Sequence, residues 1–568
     1  MDYMKEYERW LSSGKLTEEE SAELLSIKND EKEIEDRFFA PLKFGTAGLR
    51  GVLGMGTNRM NVYTVRQATQ GLCEVIKKLG KATASRGVAV CMDSRIKSDV
   101  FSREAACVLA GNGIPVYIFE SLRPTPELSF AIRALECIAG INITASHNPK
   151  EYNGYKAYWE DGAQLPPKEA DEVLSEIGKI DVLADVPRLD FDEGVERGII
   201  TVMGEEVDEA FLVHVRGCAI NDGAVAAAGD DFKIVYTPFH GTGYKLVPEV
   251  FARMGIKNVI CVPEQSIPDG NFPTVKSPNP ENREGFELAI KLAKSEDIDL
   301  IIGTDPDADR VGVIVRNSDG EYVTISGNQM GVLLLDYIIS AKREKGELTD
   351  KSYAIKTIVT TEMARRVCEV NNVKMFETFT GFKFIAEKIE NEGADGFLLG
   401  YEESYGYLIG DFCRDKDAVT ASMMIAEMAA HYKSLGMSLY DAMQKLYEKY
   451  GAYSERTINV VMPGVSGLSK MNELMKTLRE TPPENLGGEK VSRVRDYLSG
   501  KTNLGEELPL SGSNVLYFEM ADGTSFIIRP SGTEPKIKVY ILARGDNMAE
   551  AEAKAEKYTA VANGIADM

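Results

Sequence analysis

The sequence predicts an α/β protein of four domains, of which the last is an α+β domain. Three observations support this fold class. The chain has 568 residues, and at about 150 residues per domain this length corresponds to roughly four folding units. Short apolar runs of strand length alternate with helical stretches through most of the chain. The C-terminal residues 453–568 depart from that alternation.

The alternation of strands and helices restarts twice, which predicts three successive α/β domains. Residues 1 to about 40 are highly charged and helical in pattern, as is typical of an N-terminal arm packed on a first domain. The predicted strands are 88–92, 116–119 and 141–144 in the first domain, 233–236, 259–262 and 298–302 in the second, and 353–357, 374–377 and 397–399 in the third.

The C-terminal segment has a different pattern. It predicts strands at 516–518, 525–528 and 537–542, followed by an Ala/Glu-rich helix from Met548. This order is typical of an antiparallel sheet with a helix, which is an α+β domain. The predicted domains are residues 1–206 (arm and first α/β domain), 207–325 (second), 326–452 (third) and 453–568 (α+β domain).

The charge of the chain argues against two classes of partner. The formal net charge is −23, from 88 acidic and 65 basic residues. A field of that sign repels nucleic acid and acidic membranes, so we expect neither as a partner. No apolar run approaches the roughly 18 residues that span a bilayer, and the first residues lack the apolar core of a signal peptide. We therefore expect a cytoplasmic protein.

The first of four polar loops contains Thr144-Ala145-Ser146-His147-Asn148-Pro149 and follows an apolar strand. Ser146 is expected to be exposed at the carboxyl end of this strand, where open α/β sheets bind ligands. A serine there can act as a nucleophile if a neighbour polarises its oxygen, and His147 is adjacent. A simple turn is the alternative interpretation. The sequence has no G-x-S-x-G motif there to indicate an ordinary esterase.

The second loop carries three aspartates, Asp305, Asp307 and Asp309, between two apolar strands. In a nearly extended backbone this spacing directs all three carboxylates to the same side. Three converging anions repel each other unless a cation lies among them, and an all-oxygen site favours a hard cation such as Mg²⁺. A calcium-binding EF-hand loop is the competing interpretation. Arg310 occupies the position where that loop requires glycine, so a magnesium site is favoured.

The third and fourth loops carry groups suited to a phosphorylated sugar. Glu402, Glu403 and Ser404 can hydrogen-bond to neighbouring sugar hydroxyls, and Thr380-Gly381 lies nearby in the sequence. The segment Arg529-Pro530-Ser531-Gly532-Thr533 offers a guanidinium, two hydroxyls and a glycine backbone, which together can hold a phosphate. Further positive candidates in an acidic chain are Arg50, Lys156 and Lys416.

In this order and spacing, the four loops resemble the α-D-phosphohexomutase superfamily, and most closely its phosphoglucomutase and phosphopentomutase branch. The resemblance extends over about residues 40 to 545. It implies three similar mixed-sheet α/β domains and a smaller α+β domain around a central cleft. It also implies a phosphosugar mutase that interconverts glucose 1-phosphate and glucose 6-phosphate through a phosphoserine enzyme and a bisphosphorylated sugar.

The resemblance also assigns roles to individual residues. Ser146 matches the phosphorylated serine, and Asp305, Asp307 and Asp309 match the carboxylates that bind Mg²⁺ together with it. Lys156 resembles a general acid or base, for which a base role would require a lowered pKa. The other implied site residues are His147 and Arg50 near the serine, and Arg310, Thr380, Gly381, Glu402, Ser404, Lys416, Arg529, Ser531, Gly532 and Thr533 as substrate contacts. Glucose 1,6-bisphosphate is the implied intermediate and activator.

Several alternatives stay open from the sequence. The Glu402-Glu403-Ser404 loop resembles the glucose-type loop, but phosphopentomutases, phosphomannomutases and sugar bisphosphate synthases carry similar ones. A phosphatase using the same serine and a non-catalytic sugar-phosphate-binding protein are the other classes. The remaining histidines, His214, His240 and His431, are interpreted as structural.

Overall fold

The computed structural model describes residues 2–45, 48–462, 467–531 and 536–565. The chain divides into two compact units. The first comprises Met1–Ile325 and Tyr405–Gly436, and the second comprises Ser326–Ser404 and Met437–Met568. Among the described residues, no helix combines the length and the apolar character that crossing a membrane requires.

The N-terminal arm packs on the first domain, as predicted. Trp10 and Phe38 are fully buried in a small core of the arm. Tyr63 of the first domain stacks edge-on against Trp10, with their ring centroids 5.4 Å apart. The arm consists of three helices, α1 (Tyr3–Ser12), α2 (Glu18–Ser26) and α3 (Glu31–Phe38).

The first domain has a six-stranded mixed sheet. Its elements are β1 (Gly48–Val52), α4 (Val62–Lys78), α5 (Lys81–Ala84), β2 (Val88–Met92), α6 (Ser98–Gly111), β3 (Val116–Phe119), α7 (Thr125–Ala134), β4 (Ala139–Ile143), β5 (Tyr152–Trp159), α8 (Pro167–Ile177), α9 (Phe191–Glu196) and β6 (Ile200–Met203). The strand order is β1-β5-β4-β2-β3-β6. Strands β4, β2, β3 and β6 are parallel, whereas β5 and β1 are antiparallel to their neighbours. Every residue of β4 is buried, as expected of a central strand covered on both faces.

The second domain has a five-stranded mixed sheet in the same unit. Its elements are α10 (Glu205–Gly217), α11 (Ala224–Ala228), β7 (Lys233–Thr237), α12 (Gly243–Arg253), β8 (Asn258–Cys261), a 3₁₀ turn (Arg283–Phe286), α13 (Glu287–Glu296), β9 (Leu300–Thr304), β10 (Val311–Arg316) and β11 (Tyr322–Ile325). The order is β11-β10-β9-β7-β8. Strands β9 and β10 pair antiparallel, with Thr304 opposite Val311, so the aspartate loop is the tight turn that joins them.

The third predicted domain contributes elements to both units. They are α14 (Gly327–Glu344), β12 (Tyr353–Thr357), α15 (Met363–Asn371), β13 (Lys374–Thr378), α16 (Phe382–Glu392), β14 (Phe397–Glu402), β15 (Gly406–Leu408), α17 (Ala418–Ser434) and α18 (Leu439–Tyr450). In the second unit, β13, β12 and β14 form a parallel sheet in that order. In the first unit, α17 packs on α11 and α12 of the second domain. Its residues 418–430 are all buried, because most of the side chains around the helix are apolar.

The C-terminal domain is antiparallel, as predicted. Its elements are β16 (Ala452–Val461), α19 (Gly467–Glu480), β17 (Asn485–Leu486), β18 (Glu489–Asp496), β19 (Lys501–Thr502), β20 (Leu516–Met520), β21 (Ser525–Pro530), β22 (Lys536–Gly545) and α20 (Met548–Asn563). The sheet order is β16-β22-β21-β20-β18-β17, and β19 pairs with β18. The predicted fold class, mixed-sheet α/β with a C-terminal α+β domain, is confirmed.

Candidate active site

The phosphoserine candidate, Ser146, lies just beyond the carboxyl end of β4. Its Oγ donates a hydrogen bond to Oδ2 of Asp305 at 2.8 Å and lies 3.1 Å from Nδ1 of His147. Ser146 is only 3% exposed, so the expectation of an exposed serine is wrong. The second domain accounts for the difference, because its aspartate turn packs directly against this hydroxyl.

The backbone of Ser146 has an uncommon conformation. Its φ angle is 52°, in the left-handed region that few non-glycine residues adopt. Such a conformation costs on the order of 1–3 kcal/mol and persists only where the surroundings enforce it. The Ser146 N–H donates to Oγ1 of Thr144 at 2.8 Å. The guanidinium of Arg95 donates to the Ser146 carbonyl at 2.6 Å. The loop is thus held on both sides of the serine.

Arg95 is a loop-holding residue that the sequence analysis missed. Its side chain is fully buried and forms an ion pair with Asp93 at 3.2 Å. The same guanidinium donates to the carbonyls of Pro149 and Tyr152, each at 2.9 Å. An acidic and a basic residue directly after β2 were the signal available in the sequence. Because β2 is the parallel neighbour of β4, their ends meet at the same sheet edge.

The three aspartates converge on one point. Asp305, Asp307 and Asp309 are almost completely buried, and one carboxylate oxygen from each lies within 4.8 Å of those of the other two. The predicted near-extended backbone is wrong, because Ala308 has a φ of 48°. Convergence comes from a tight turn in which Oδ1 of Asp305 accepts the N–H groups of Asp309 and Arg310, each at 3.0 Å.

Two carboxylate oxygens of this trio accept no hydrogen bond from the residues that the structure describes. They are Oδ1 of Asp307 and Oδ1 of Asp309, and both are buried. A buried charged oxygen without a donor is costly unless a cation satisfies it. Clustered carboxylate oxygens are the ligands that hard divalent cations prefer. The arrangement therefore fits a metal site.

The electrostatics of the trio support that interpretation. Burial, together with the charges of Asp307 and Asp309, raises the pKa of Asp305 well above its ordinary value. Burial also disfavours the charged form of Asp307, but Lys156, together with hydrogen bonds from Asp305 and Thr125, outweighs it and keeps the pKa of Asp307 below its ordinary value. The cluster thus favours a proton on one carboxyl group. Protons and metal ions compete for such oxygens, so a cation can take that proton's place.

Two lysines contact the same carboxylates. Nζ of Lys156 lies 2.7 Å from Oδ2 of Asp307 and 3.4 Å from Oδ2 of Asp309, and Nζ of Lys416 lies 3.0 Å from Oδ2 of Asp309. Burial acts to lower the pKa of Lys156, but Asp307 and Asp309 outweigh it and the pKa is raised. The lowered pKa that a base role requires is therefore not found, and the carboxylates favour the protonated form of Lys156.

Other basic side chains surround the serine loop. Burial, followed by the charges of Arg310 and Arg50, lowers the pKa of His147 well below its ordinary value. The imidazole next to Ser146 is therefore held in its neutral form. Arg50 donates to Oδ1 of Asn148 at 3.1 Å, and Arg310 donates to Glu281 at 3.2 Å.

The sugar-loop candidates lie in the second unit. Oε1 of Glu402 accepts the Gly381 N–H at 2.8 Å, which places Thr380-Gly381 beside it. Glu403 differs, because its Oε2 accepts hydrogen bonds from the hydroxyls of Thr357 and Thr360, each at 3.4 Å. Both glutamates therefore contact other residues of their own unit.

The predicted site residues thus form two groups. The first unit brings together Ser146, His147, Lys156, Arg50, Asp305, Asp307, Asp309, Arg310 and Lys416. The second unit contains Thr380, Gly381, Glu402, Ser404, Arg529 and Ser531. Arg529 lies in β21, and the Ser531 N–H donates to the Lys536 carbonyl at 2.7 Å. Gly532 and Thr533 lie outside the described residues.

His240 has a structural environment. Nδ1 lies 2.9 Å from the Ile267 carbonyl, and Nε2 lies 2.9 Å from Oγ1 of Thr274. With both ring nitrogens engaged by the loop that follows β8, this histidine is a loop-fixing residue, as the sequence analysis interpreted it.

Comparisons with known proteins agree with this geometry. The domain I model of the family described as phosphoglucomutase/phosphomannomutase matches residues 41–183. The domain II, domain III and C-terminal domain models match residues 210–320, 326–450 and 458–559.

Curated relatives extend the similarity over almost the whole chain. A phosphoglucomutase from Staphylococcus saprophyticus is 38% identical over 536 residues, which cover 92% of this chain and 94% of the relative. A phosphoglucomutase from Staphylococcus haemolyticus is 37% identical over 526 residues, which cover 91% of this chain and 93% of the relative.

Solved structures share the fold. A putative phosphomannomutase from Thermus thermophilus superposes with a TM-score of 0.69 at 21% identity, covering 92% of this chain and all of that one. The phosphoglucomutase parafusin from Paramecium gives a TM-score of 0.70 at 18% identity, covering 93% of this chain and 95% of the other. At these sequence identities, the similarity shows only that the fold is shared.

Proposed function

Because the chain belongs to the phosphoglucomutase/phosphomannomutase family of the α-D-phosphohexomutase superfamily, we propose that it is a magnesium-dependent phosphosugar mutase that interconverts glucose 1-phosphate and glucose 6-phosphate. The observation that carries this proposal is the hydrogen bond from Ser146 Oγ to Asp305, inside a buried trio of carboxylates. The proposed phosphoryl carrier is thus in direct contact with the candidate cation site, as phosphoryl transfer requires.

The proposed reaction uses Ser146 Oγ as a phosphoryl carrier. In the first half, a free hydroxyl oxygen of the sugar phosphate attacks the phosphorus of phosphoserine, and the phosphorus–Oγ bond breaks. The sugar hydroxyl releases its proton, and Oγ gains one to become the free hydroxyl. Glucose 1,6-bisphosphate is the intermediate. In the second half, Oγ attacks the phosphorus of the other phosphate, and the bond from that phosphorus to the sugar oxygen breaks. Oγ loses its proton and the departing sugar oxygen gains one, so the products are the isomeric monophosphate and phosphoserine.

The residues around Ser146 can transfer protons and neutralise charge during the reaction. The protonated Lys156 can deliver a proton to a departing oxygen, and the Ser146 hydroxyl already donates its hydrogen to Asp305. Asp305, Asp307 and Asp309 would hold Mg²⁺, which when bound neutralises negative charge on the transferred phosphoryl group. The burial of Ser146 keeps bulk water from the phosphoserine and so suppresses hydrolysis.

An isomerisation assay tests the proposed function. Enzyme with glucose 1-phosphate, Mg²⁺ and a catalytic trace of glucose 1,6-bisphosphate is expected to form glucose 6-phosphate. The product is measured by its oxidation with glucose-6-phosphate dehydrogenase. Release of inorganic phosphate instead would indicate a phosphatase, and net accumulation of the bisphosphate would indicate a bisphosphate synthase. Either result would contradict the mutase proposal.

A substrate profile tests the sugar preference. We expect glucose 1-phosphate to have a higher kcat/KM than the 1-phosphates of mannose, ribose and N-acetylglucosamine, because Glu402 and Ser404 resemble the glucose-type loop. Glu402→Gln should reduce kcat/KM for glucose 1-phosphate. The matched control is Glu392→Gln on α16 of the same unit, whose carboxylate pairs with Lys388. If ribose 1-phosphate or mannose 1-phosphate had the highest kcat/KM, the protein would instead be a phosphopentomutase or a phosphomannomutase.

A further inference from the structure

Thr125, the first residue of α7, is bonded to the middle carboxylate of the trio. Its Oγ1 donates to Oδ2 of Asp307 at 2.9 Å, and its backbone N–H donates to the Asp307 carbonyl at 2.8 Å. Thr125 is fully buried. One residue of the first domain therefore holds both the side chain and the backbone of a residue in the second domain.

A third residue fixes the direction of the hydrogen bond between the Thr125 hydroxyl and Asp307. Nδ2 of Asn142, in the buried strand β4, lies 2.8 Å from Oγ1 of Thr125. A hydroxyl has one hydrogen to donate, and an ionised carboxylate can only accept. The Thr125 hydrogen therefore goes to Asp307, and the Asn142 amide must be the donor to Oγ1. The chain of hydrogen bonds has a single polarity, from Asn142 through Thr125 to Asp307.

This chain distinguishes the two oxygens of Asp307. Oδ2 receives the Thr125 hydroxyl and the Lys156 ammonium, the latter at 2.7 Å. Oδ1 is buried and receives no hydrogen bond from any described part of the chain. A carboxylate with two strong donors on one oxygen is hindered from rotating, so its other oxygen stays available to a cation.

We propose that Thr125, oriented by Asn142, is a positioning residue that fixes Oδ1 of Asp307 as the oxygen that binds the divalent cation. This inference rests on the proposed metal-dependent function. Residues that hydrogen-bond to metal ligands orient those ligands, and their loss typically weakens metal affinity about 10- to 100-fold. Without the hydroxyl, Oδ2 retains only Lys156, and the carboxylate can rotate away from the orientation that the cation needs.

The test compares Thr125→Val, which removes the hydroxyl but keeps the shape and the backbone N–H, with Thr125→Ser, which keeps the hydroxyl. Mn²⁺ is the probe, because its binding can be followed by electron paramagnetic resonance without turnover. We expect Thr125→Val to weaken Mn²⁺ binding by about tenfold and Thr125→Ser to bind nearly as wild type. The control is Thr69→Val, which removes another buried hydroxyl of the same domain, one bonded to Val65 within α4.

A second readout separates positioning from general damage. The Mg²⁺ concentration for half-maximal activity should rise in Thr125→Val, whereas kcat at saturating Mg²⁺ should stay near wild type. A distorted fold would instead lower kcat at every Mg²⁺ concentration. Asn142→Leu removes the donor to Thr125 and keeps the Thr125 hydroxyl, so it should raise the Mg²⁺ concentration for half-maximal activity by a smaller amount. If Thr125→Val does not fold, Asn142→Leu tests the positioning role in its place.

The failures of the two proposals can be told apart. Wild-type Mn²⁺ affinity in a folded Thr125→Val, or in Asn142→Leu if only that variant folds, would overturn the positioning role and leave the mutase proposal intact. A wild-type protein that binds no Mn²⁺, or binds it equally after Asp307→Asn, would overturn the metal site and the positioning role together.

Discussion

Replacing Ser146 with alanine is expected to abolish mutase turnover, with a loss of about a millionfold, as when other enzymes lose their nucleophile. Phosphate monoesters are among the slowest bonds to hydrolyse, and enzymes accelerate that cleavage by up to about 10²¹-fold. The proposed mechanism routes both transfers through one oxygen. The Thr144 hydroxyl of the same loop is already engaged, because its oxygen accepts the Ser146 N–H.

Two measurements test the expected loss of turnover in Ser146→Ala. The coupled assay with glucose 1-phosphate gives the rate. Intact-protein mass spectrometry after incubation with glucose 1,6-bisphosphate should show the mass of one added phosphoryl group in the wild type and none in Ser146→Ala. Ser102→Ala is the matched control, because Ser102 is a buried serine of the same domain that donates within α6. Normal activity, or a retained phosphoryl group, in Ser146→Ala would exclude the carrier role.

The Ser146→Ala variant should remain folded. It loses the hydrogen bond to Asp305, and alanine must adopt the same left-handed backbone. These two effects should change the free energy of unfolding by no more than about 2 kcal/mol. A thermal unfolding measurement on Ser146→Ala therefore shows whether activity is lost because the nucleophile is absent or because the protein is unfolded.

The sequence was sufficient to predict the loops but not the distances between them. Ser146 and Asp305 each follow a buried strand, which indicates a ligand-binding edge for each sheet. They lie 159 residues apart, and no strand pairing joins their two sheets. Their contact depends on the packing of two domains, which the residue pattern of neither loop encodes. The resemblance to a known family supplied that link.

Supporting residues were harder to predict for a physical reason. Arg95 and Thr125 act through hydrogen bonds to other residues, so their spacing carries no chemical signature of its own. Thr125 follows a proline and begins a helix, which by itself is an ordinary helix start. Position was also ambiguous for Lys416. It precedes α17, whose largely apolar surface is typical of a buried helix but does not specify the sheet on which it packs.

Asp307→Asn is expected to weaken divalent-metal binding and to lower kcat/KM at limiting Mg²⁺, each by more than about 100-fold, which exceeds the usual cost of losing a residue that only supports a ligand. The reason is more than the loss of one charge. Thr125 and Lys156 both direct hydrogens at the Oδ2 position, so the asparagine must place its carbonyl oxygen there. Its NH₂ group is then forced into the Oδ1 position, where it presents hydrogens to the cation in place of a lone pair.

This orientation argument also predicts how the two substitutions combine. In wild-type protein, Thr125→Val weakens Mn²⁺ binding because Oδ1 of Asp307 is no longer held in place. In an Asp307→Asn background there is no Oδ1 carboxylate oxygen to hold, so adding Thr125→Val should have little further effect, and the two losses should not add. Asp319→Asn, at an exposed aspartate of the turn between β10 and β11, is the control and should bind Mn²⁺ as wild type. Additive losses would mean that Thr125 affects the metal through some residue other than Asp307.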